Sequence, residues 1–211
     1  MFERILVLSP HTDDAELGAG GTIIKFINEK KKVLWVVFST AEESIPEGMK
    51  KNTLEKEFLS VTRKLGLQRD QYIVNHFKVR KLHEKRQEIL ESLVRIRNMF
   101  HPDLVVGPSL NDFHQDHIIV ATEMVRAFKG SASIISYELP WNHVTFHTQL
   151  FVQLEKKYID KKIELLKSYR SQIIKNRSYF SRDFIRGFAR TRGVQINTQF
   201  AEAFEVIRWM I

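Results

Sequence analysis

The sequence has 211 residues, enough for one sizeable domain over 1–211, and its 43% hydrophobic and 27% charged residues are those of an ordinary globular protein. It contains no cysteine, which excludes disulfides, thiolate metal sites and cysteine nucleophiles, so any metal must be held by His, Asp or Glu. No apolar run reaches the ~18 residues of a membrane span and the first residues lack the plan of a signal peptide, so a cytoplasmic protein without a transmembrane segment is expected.

The net charge of +8 is uneven, with 12 Lys/Arg against 4 Asp/Glu between Phe151 and Arg192, and 21 against 21 elsewhere. A solvated helix face accounts for such a run, and so does an anionic partner: a phosphate-bearing or lipid-linked substrate, or an acidic membrane to which the protein is peripheral. Nucleic acid is not expected, because no recognised binding pattern accompanies the charge.

Taken in chain order, Ile5-Leu6-Val7-Leu8 reads as a buried strand followed by a polar loop over 9–18. Residues 20–30 have helical periodicity, with Ile23, Ile24 and Ile27 on one face. A second strand is expected over 33–38, and then a mobile polar loop over 40–52 holding Pro46 and Gly48. A helix over 54–65 stops at Gly66, a candidate C-cap. A short strand over 72–74, an amphipathic helix over 85–100, a strand over 104–107, a helix over 118–128 and a strand over 133–137 follow. After Pro140 the rhythm changes to a strand over 145–152, helices over 155–167 and 182–190, and a last strand over 201–210. Alternating strands and helices predict an α/β fold, a mostly parallel Rossmann-like sheet with helices on both faces, plus a C-terminal helix and strand extension.

Two clusters carry chemistry. His11-Thr12-Asp13-Asp14 follows the first strand, and His114-Gln115-Asp116-His117 follows the fourth. Both are read as loops beyond the carboxyl ends of their strands, the edge where open α/β sheets bind ligands. In doubly wound order the first and fourth strands are neighbours, so the clusters would face each other. Two imidazoles and a carboxylate make a zinc site with an open fourth position. The clusters also hold a spare Asp to take a proton, a spare His to steady an oxyanion or protonate an amine, and Asp116 to orient an imidazole. Taken singly, an Asp-Asp pair can simply cap a helix, and a His-x-x-His can be structural.

His11-Thr-Asp-Asp-Ala-Glu-Leu-Gly18 with His114-Gln-Asp-His117 resembles the paired signature of the PIG-L/LmbE-like zinc N-deacetylases. Gly18-Ala-Gly-Gly-Thr22, placed at the opening of the first helix, and the stretches Tyr169-Arg-Ser-Gln172 and Ala201-Glu-Ala-Phe204 resemble weaker hallmarks. The resemblance implies one Zn2+ on His11, Asp14 and His117, with Asp13 as general base. It implies His114 as the oxyanion donor or acid toward the amine, and Asp116 as the carboxylate that orients a neighbouring His. It also implies a Rossmann-type fold and an N-acetylated amino-sugar substrate, typically an N-acetylglucosamine conjugate of a lipid, thiol-cofactor precursor, glycopeptide or surface sugar. Two departures stand out: Thr12 replaces the usual Pro, and Leu54-Glu-Lys-Glu57 lacks the Arg that relatives often place three residues before a Glu.

Other signals are weaker. Gly18-x-Gly20-Gly21 could cradle a phosphate, Trp141 could stack on a sugar, and the 40–52 loop could close over substrate. His143 and His147 fit packing or surface roles better than a place in the cleft. A magnesium-dependent phosphohydrolase is disfavoured by two His ligands, and a non-catalytic binding or regulatory protein by Asp13 beside a full ligand set.

Overall fold

The computed structural model describes residues 2–210. Its centre is a seven-stranded sheet in the order β3-β2-β1-β4-β5-β7-β6. The strands are β1 (Arg4–His11), β2 (Lys32–Ser39), β3 (Tyr72–Val74), β4 (Leu104–Gly107), β5 (Ser133–Tyr137), β6 (Leu150–Leu154) and β7 (Phe200–Arg208). The first five are parallel, whereas β7 runs antiparallel to β5 and β6 antiparallel to β7. The expected Rossmann-like fold is therefore present, extended by an antiparallel edge from the C-terminal third.

The near-continuous Val/Ile/Leu runs of β1 and β2 are buried on both faces, as strands sandwiched between helices must be. Ile5 and Val7 pack toward α1 (Asp14–Asn28), α2 (Thr53–Leu65), α5 (Lys156–Leu166) and α7 (Arg182–Gln195). Leu6 and Leu8 face the other way, toward α3 (Arg86–Phe100) and α4 (Gln115–Phe128). Gly66 closes α2 at φ 74, the left-handed cap its position predicts.

Several boundaries move. The first strand runs on to His11 and α1 starts at Asp14, so most of the expected 9–18 loop is strand and helix. Glycine's poor helix propensity hides this start, because Gly18, Gly20 and Gly21 lie inside α1. They form no phosphate cradle. A Cβ on Gly18 would sit 2.5 Å from the Tyr137 ring and one on Gly21 2.5 Å from Leu154, so their bareness lets α1 settle onto β5 and β6. The helix read over 118–128 starts at Gln115, which moves Asp116 and His117 from a loop to a first helical turn. The strand read over 145–152 lies at Leu150–Leu154, α7 runs on to Gln195, and a short helix, α6 (Arg170–Ile173), was not anticipated.

The C-terminal extension is locked to α1 by a buried ion pair. Lys162 Nζ lies 2.7 Å from Glu202, whose carboxylate also accepts the backbone N–H groups of Gly21 and Thr22. Glu202, in the Ala201–Phe204 stretch, is thus a clamp between β7, α5 and α1.

Candidate active site

Strand β1 pairs with β2 on one side and with β4 on the other, Ile5 opposite Leu104 and Val7 opposite Val106. This reversal of strand order brings the two clusters together at the carboxyl edge. His11 ends β1, Asp14 opens α1, and His117 sits in the first turn of α4. His11 Nδ1 is 3.1 Å from Asp14 Oδ2, His117 Nε2 is 3.2 Å from His11 Nδ1, and His117 Nε2 is 3.2 Å from Asp14 Oδ2. A tetrahedral ion with bonds of about 2.0–2.1 Å has donor–donor edges of about 3.3 Å, so this triangle matches one tetrahedral face.

The far side of each ring supports the same reading. His11 Nε2 contacts Asp116 Oδ2 at 3.0 Å, and Asp116 is itself gripped by the backbone N–H groups of Arg80 and Leu82. His117 Nδ1 contacts Asp112 Oδ2 at 2.7 Å, and the other Asp112 oxygen accepts the His114 N–H. With those nitrogens donating, His11 Nδ1 and His117 Nε2 keep their lone pairs for the triangle, the carboxylate–histidine–metal arrangement. Electrostatics agree. Burial pulls both imidazoles down, but Asp14 and the hydrogen-bonded carboxylates overcome it and lift His11 to about 9 and His117 to about 10. Burial likewise raises Asp14, yet His117 and His11 hold its carboxyl well below the usual range. An acidic pocket that draws protons onto its histidines is one that a cation would neutralise.

The spare groups differ in character. Asp13 stands at the N-cap of α1 but makes no capping hydrogen bond, so the helix-cap reading fails for it. Burial and the neighbouring Asp14 push its carboxyl up to about 6. His114 caps α4, its Nδ1 accepting the Asp116 N–H at 3.2 Å, which leaves the ring proton on Nε2. Its ring stacks on His117, 4.6 Å between centroids, and burial with the two neighbouring histidines lowers it to about 4. It is therefore neutral at pH 7. Donor atoms of His11, His114 and His117 all lie within 4.8 Å of one another, a second way to group ligands, but the Asp14 triangle is the tighter one.

His11, Asp13, Asp14, His114 and His117 form one wall of a cleft of about 180 Å³; Trp141, Asn142, Gln172, Arg177 and Tyr179 form the other. Trp141 lies against Tyr179, with centroids 3.9 Å apart and planes 11° apart. Ala41 and Ser44 line the rim, so the 40–52 stretch does border the cleft; it holds a 3-10 turn, Glu42–Ser44, whose last carbonyl accepts Lys175 Nζ. His143 binds the Leu139 carbonyl and His147 donates its backbone N–H to Glu205, and neither lines the cleft.

The PIG-L family, described as GlcNAc-PI de-N-acetylase, matches residues 6–128, a stretch holding both clusters. The chain belongs to this family. An uncharacterised deacetylase of Escherichia coli K12, YaiS, is 24% identical over 172 residues, spanning 79% of this chain and 90% of that protein. N,N'-diacetylchitobiose deacetylase from Pyrococcus horikoshii superposes with a TM-score of 0.80 at 19% identity, over 98% of this chain and 84% of its own. GalB, the 4-carboxy-2-hydroxymuconate hydratase of Pseudomonas putida KT2440, superposes at 0.78 with 18% identity, over 99% and 98%. PIG-L membership places the chain among deacetylases, and its three-histidine cluster is consistent with a metal site. No helix among the described residues is long and apolar enough to cross a membrane.

Sequence reasoning missed Asp112, although its place five residues before His117 was a usable signal. It also missed what Tyr169 does: the buried phenol contacts the Thr12 carbonyl at 2.5 Å and the Glu16 carboxyl. One phenolic proton cannot serve both, so a neutral Glu16 donating to the Tyr169 oxygen satisfies the pair. Burial does raise Glu16 well above the usual carboxylate range. This contact stands directly behind the His11–Asp14 turn.

Proposed function

We propose that the protein is a zinc-dependent N-deacetylase that hydrolyses the acetamide of an amino-sugar conjugate to acetate and a free amine. The observation that carries this reading is the 3.1–3.2 Å triangle of His11, Asp14 and His117 opening into a cleft beside an uncapped Asp13. His11 Nδ1, Asp14 Oδ2 and His117 Nε2 would hold the ion. Zinc at such a centre supplies Lewis acidity toward water and toward the amide carbonyl.

The remaining chemistry belongs to the side chains. Asp13 takes a proton from the attacking water as its oxygen bonds to the carbonyl carbon, and a carboxyl near 6 accepts it readily at neutral pH. His114, neutral with its proton on Nε2, donates to the oxyanion; a ring already neutral has little acidity to offer the leaving amine. Asp13 then returns its proton to the nitrogen as the C–N bond breaks. Asp116 and Asp112 hold the two ligand rings in the tautomers that the site needs.

Metal analysis paired with acetate release from N-acetylglucosamine derivatives tests this directly. About one zinc per chain and chelator-sensitive release is the expected result. Metal-loaded protein that releases no acetate across the panel sinks the deacetylase reading. It would favour a second one, water addition to an unsaturated acid, because a hydratase shares this fold at a TM-score of 0.78.

A further inference from the structure

Six of the twelve cations in the basic C-terminal stretch form ion pairs within the fold. Lys162 pairs with Glu202, Arg186 and Lys156 with Asp160, Arg192 with Glu138, Lys157 with Glu155 and Lys167 with Glu164. Of the six that form none among the described residues, Arg177 alone lines the cleft. Its guanidinium lies 5.7 Å from the Tyr179 ring centroid and donates to the Tyr179 hydroxyl, while the Tyr179 ring rests on Trp141. The side chain is therefore held in place by uncharged groups, and its charge is left for something else.

A second cation stands with it. Lys175 reaches the Ser44 carbonyl at the cleft rim and likewise has no acidic partner among the described residues. Burial and the nearby Arg177 both hold its ammonium below the ordinary value, which marks two like charges crowded together. A guanidinium that lines the cleft without an ion-pair partner, with Lys175 reaching the rim beside it, is placed to meet an anionic ligand, and its fork suits phosphate or carboxylate oxygens.

We propose that Arg177, assisted by Lys175, binds a negatively charged substituent, phosphate or carboxylate, carried by the amino-sugar substrate. The proposal rests on the deacetylase reading for what happens to that substrate, but not for its charge. Acetate release by the zinc-loaded protein would be compared for N-acetylglucosamine 1-phosphate, a carboxymethyl glycoside and the neutral methyl glycoside of N-acetylglucosamine. Calorimetric binding of the same three compounds would run in parallel, with wild type, Arg177→Gln and Arg177→Lys. The anionic compounds are expected to exceed the neutral one by about tenfold or more in kcat/KM, with a preference that shrinks as salt is raised. Arg177→Gln should collapse that ratio through KM, with Arg177→Lys in between. A phosphate-only preference would name a phosphoryl substituent, and an equal one a general anion. Equal handling of charged and neutral compounds, or a loss in Arg177→Gln that is the same for all three, overturns the proposal. If no compound releases acetate, tighter binding of the anions that is lost in Arg177→Gln upholds the anion site while the deacetylase reading falls. Binding without that difference overturns the anion site by itself.

Discussion

The two walls of the cleft are built on different principles. The wall made by β1, α1 and α4 stands on strand ends and first helical turns, and the imidazoles of His11 and His117 each have a carboxylate behind them. The facing wall, Trp141–Asn142 and Gln172–Tyr179, comes from turns and short helices, and its residues range from buried Gln172 to exposed Arg177. The first wall is over-determined and suits chemistry that must be placed within tenths of an ångström. The second suits recognition, which loops adapt to different substrates. Damage to the first should therefore remove catalysis or metal, and damage to the second should change which substrate is taken.

The sharpest way to break this contrast is Asp13→Asn. On the proposed mechanism kcat should fall by about 10²–10⁴ while bound zinc, measured by elemental analysis, stays constant. Retained activity would remove Asp13 from the base role.

Next is the foundation of the first wall. Lys162→Met leaves the Glu202 carboxylate buried without its cation, and chemical denaturation should show a loss of about 3–5 kcal/mol. A loss within 1 kcal/mol, by the same principle, would mean that the two backbone N–H groups of Gly21 and Thr22 suffice to hold Glu202.

A smaller effect is expected from Asp112→Ala. It frees the His117 ring, and metal affinity by competition with a chelator should weaken by about 10–100-fold. Unchanged affinity would show that ring packing alone orients His117.

The smallest effect belongs to the recognition wall. Trp141→Ala removes one face of the Trp141–Tyr179 stack, and KM should rise several-fold, of the order expected for about 1 kcal/mol, with kcat nearly constant. A kcat loss as large as that of Asp13→Asn would erase the distinction between the walls.

Much of the fold was legible because its strands are short and apolar, and the central ones are buried on both faces. The strands over 72–74, 104–107 and 133–137 lie where the pattern placed them. The start of α1 was not legible, because Gly18, Gly20 and Gly21 look like loop until Tyr137 and Leu154 are seen pressing on them. The last third was harder for a related reason: β7 is the final strand in sequence yet lies between β5 and β6 in space, and no local period encodes such an insertion.

The residue types by themselves determined the chemical inventory. With no cysteine, two His/Asp clusters and their spacing, the sequence pointed to an imidazole and carboxylate metal site before any geometry was known. Only the tertiary structure decided which atoms meet. The β1–β4 register sets His11 against Asp116 and His117, about a hundred residues away, and Asp112 turns from a neighbour in sequence into the support of His117. The structure alone also singled out Arg177 from a dozen basic neighbours. Charge in a sequence is additive, whereas in a fold part of it is cancelled in ion pairs and only a charge that reaches the cleft is left to meet its ligand.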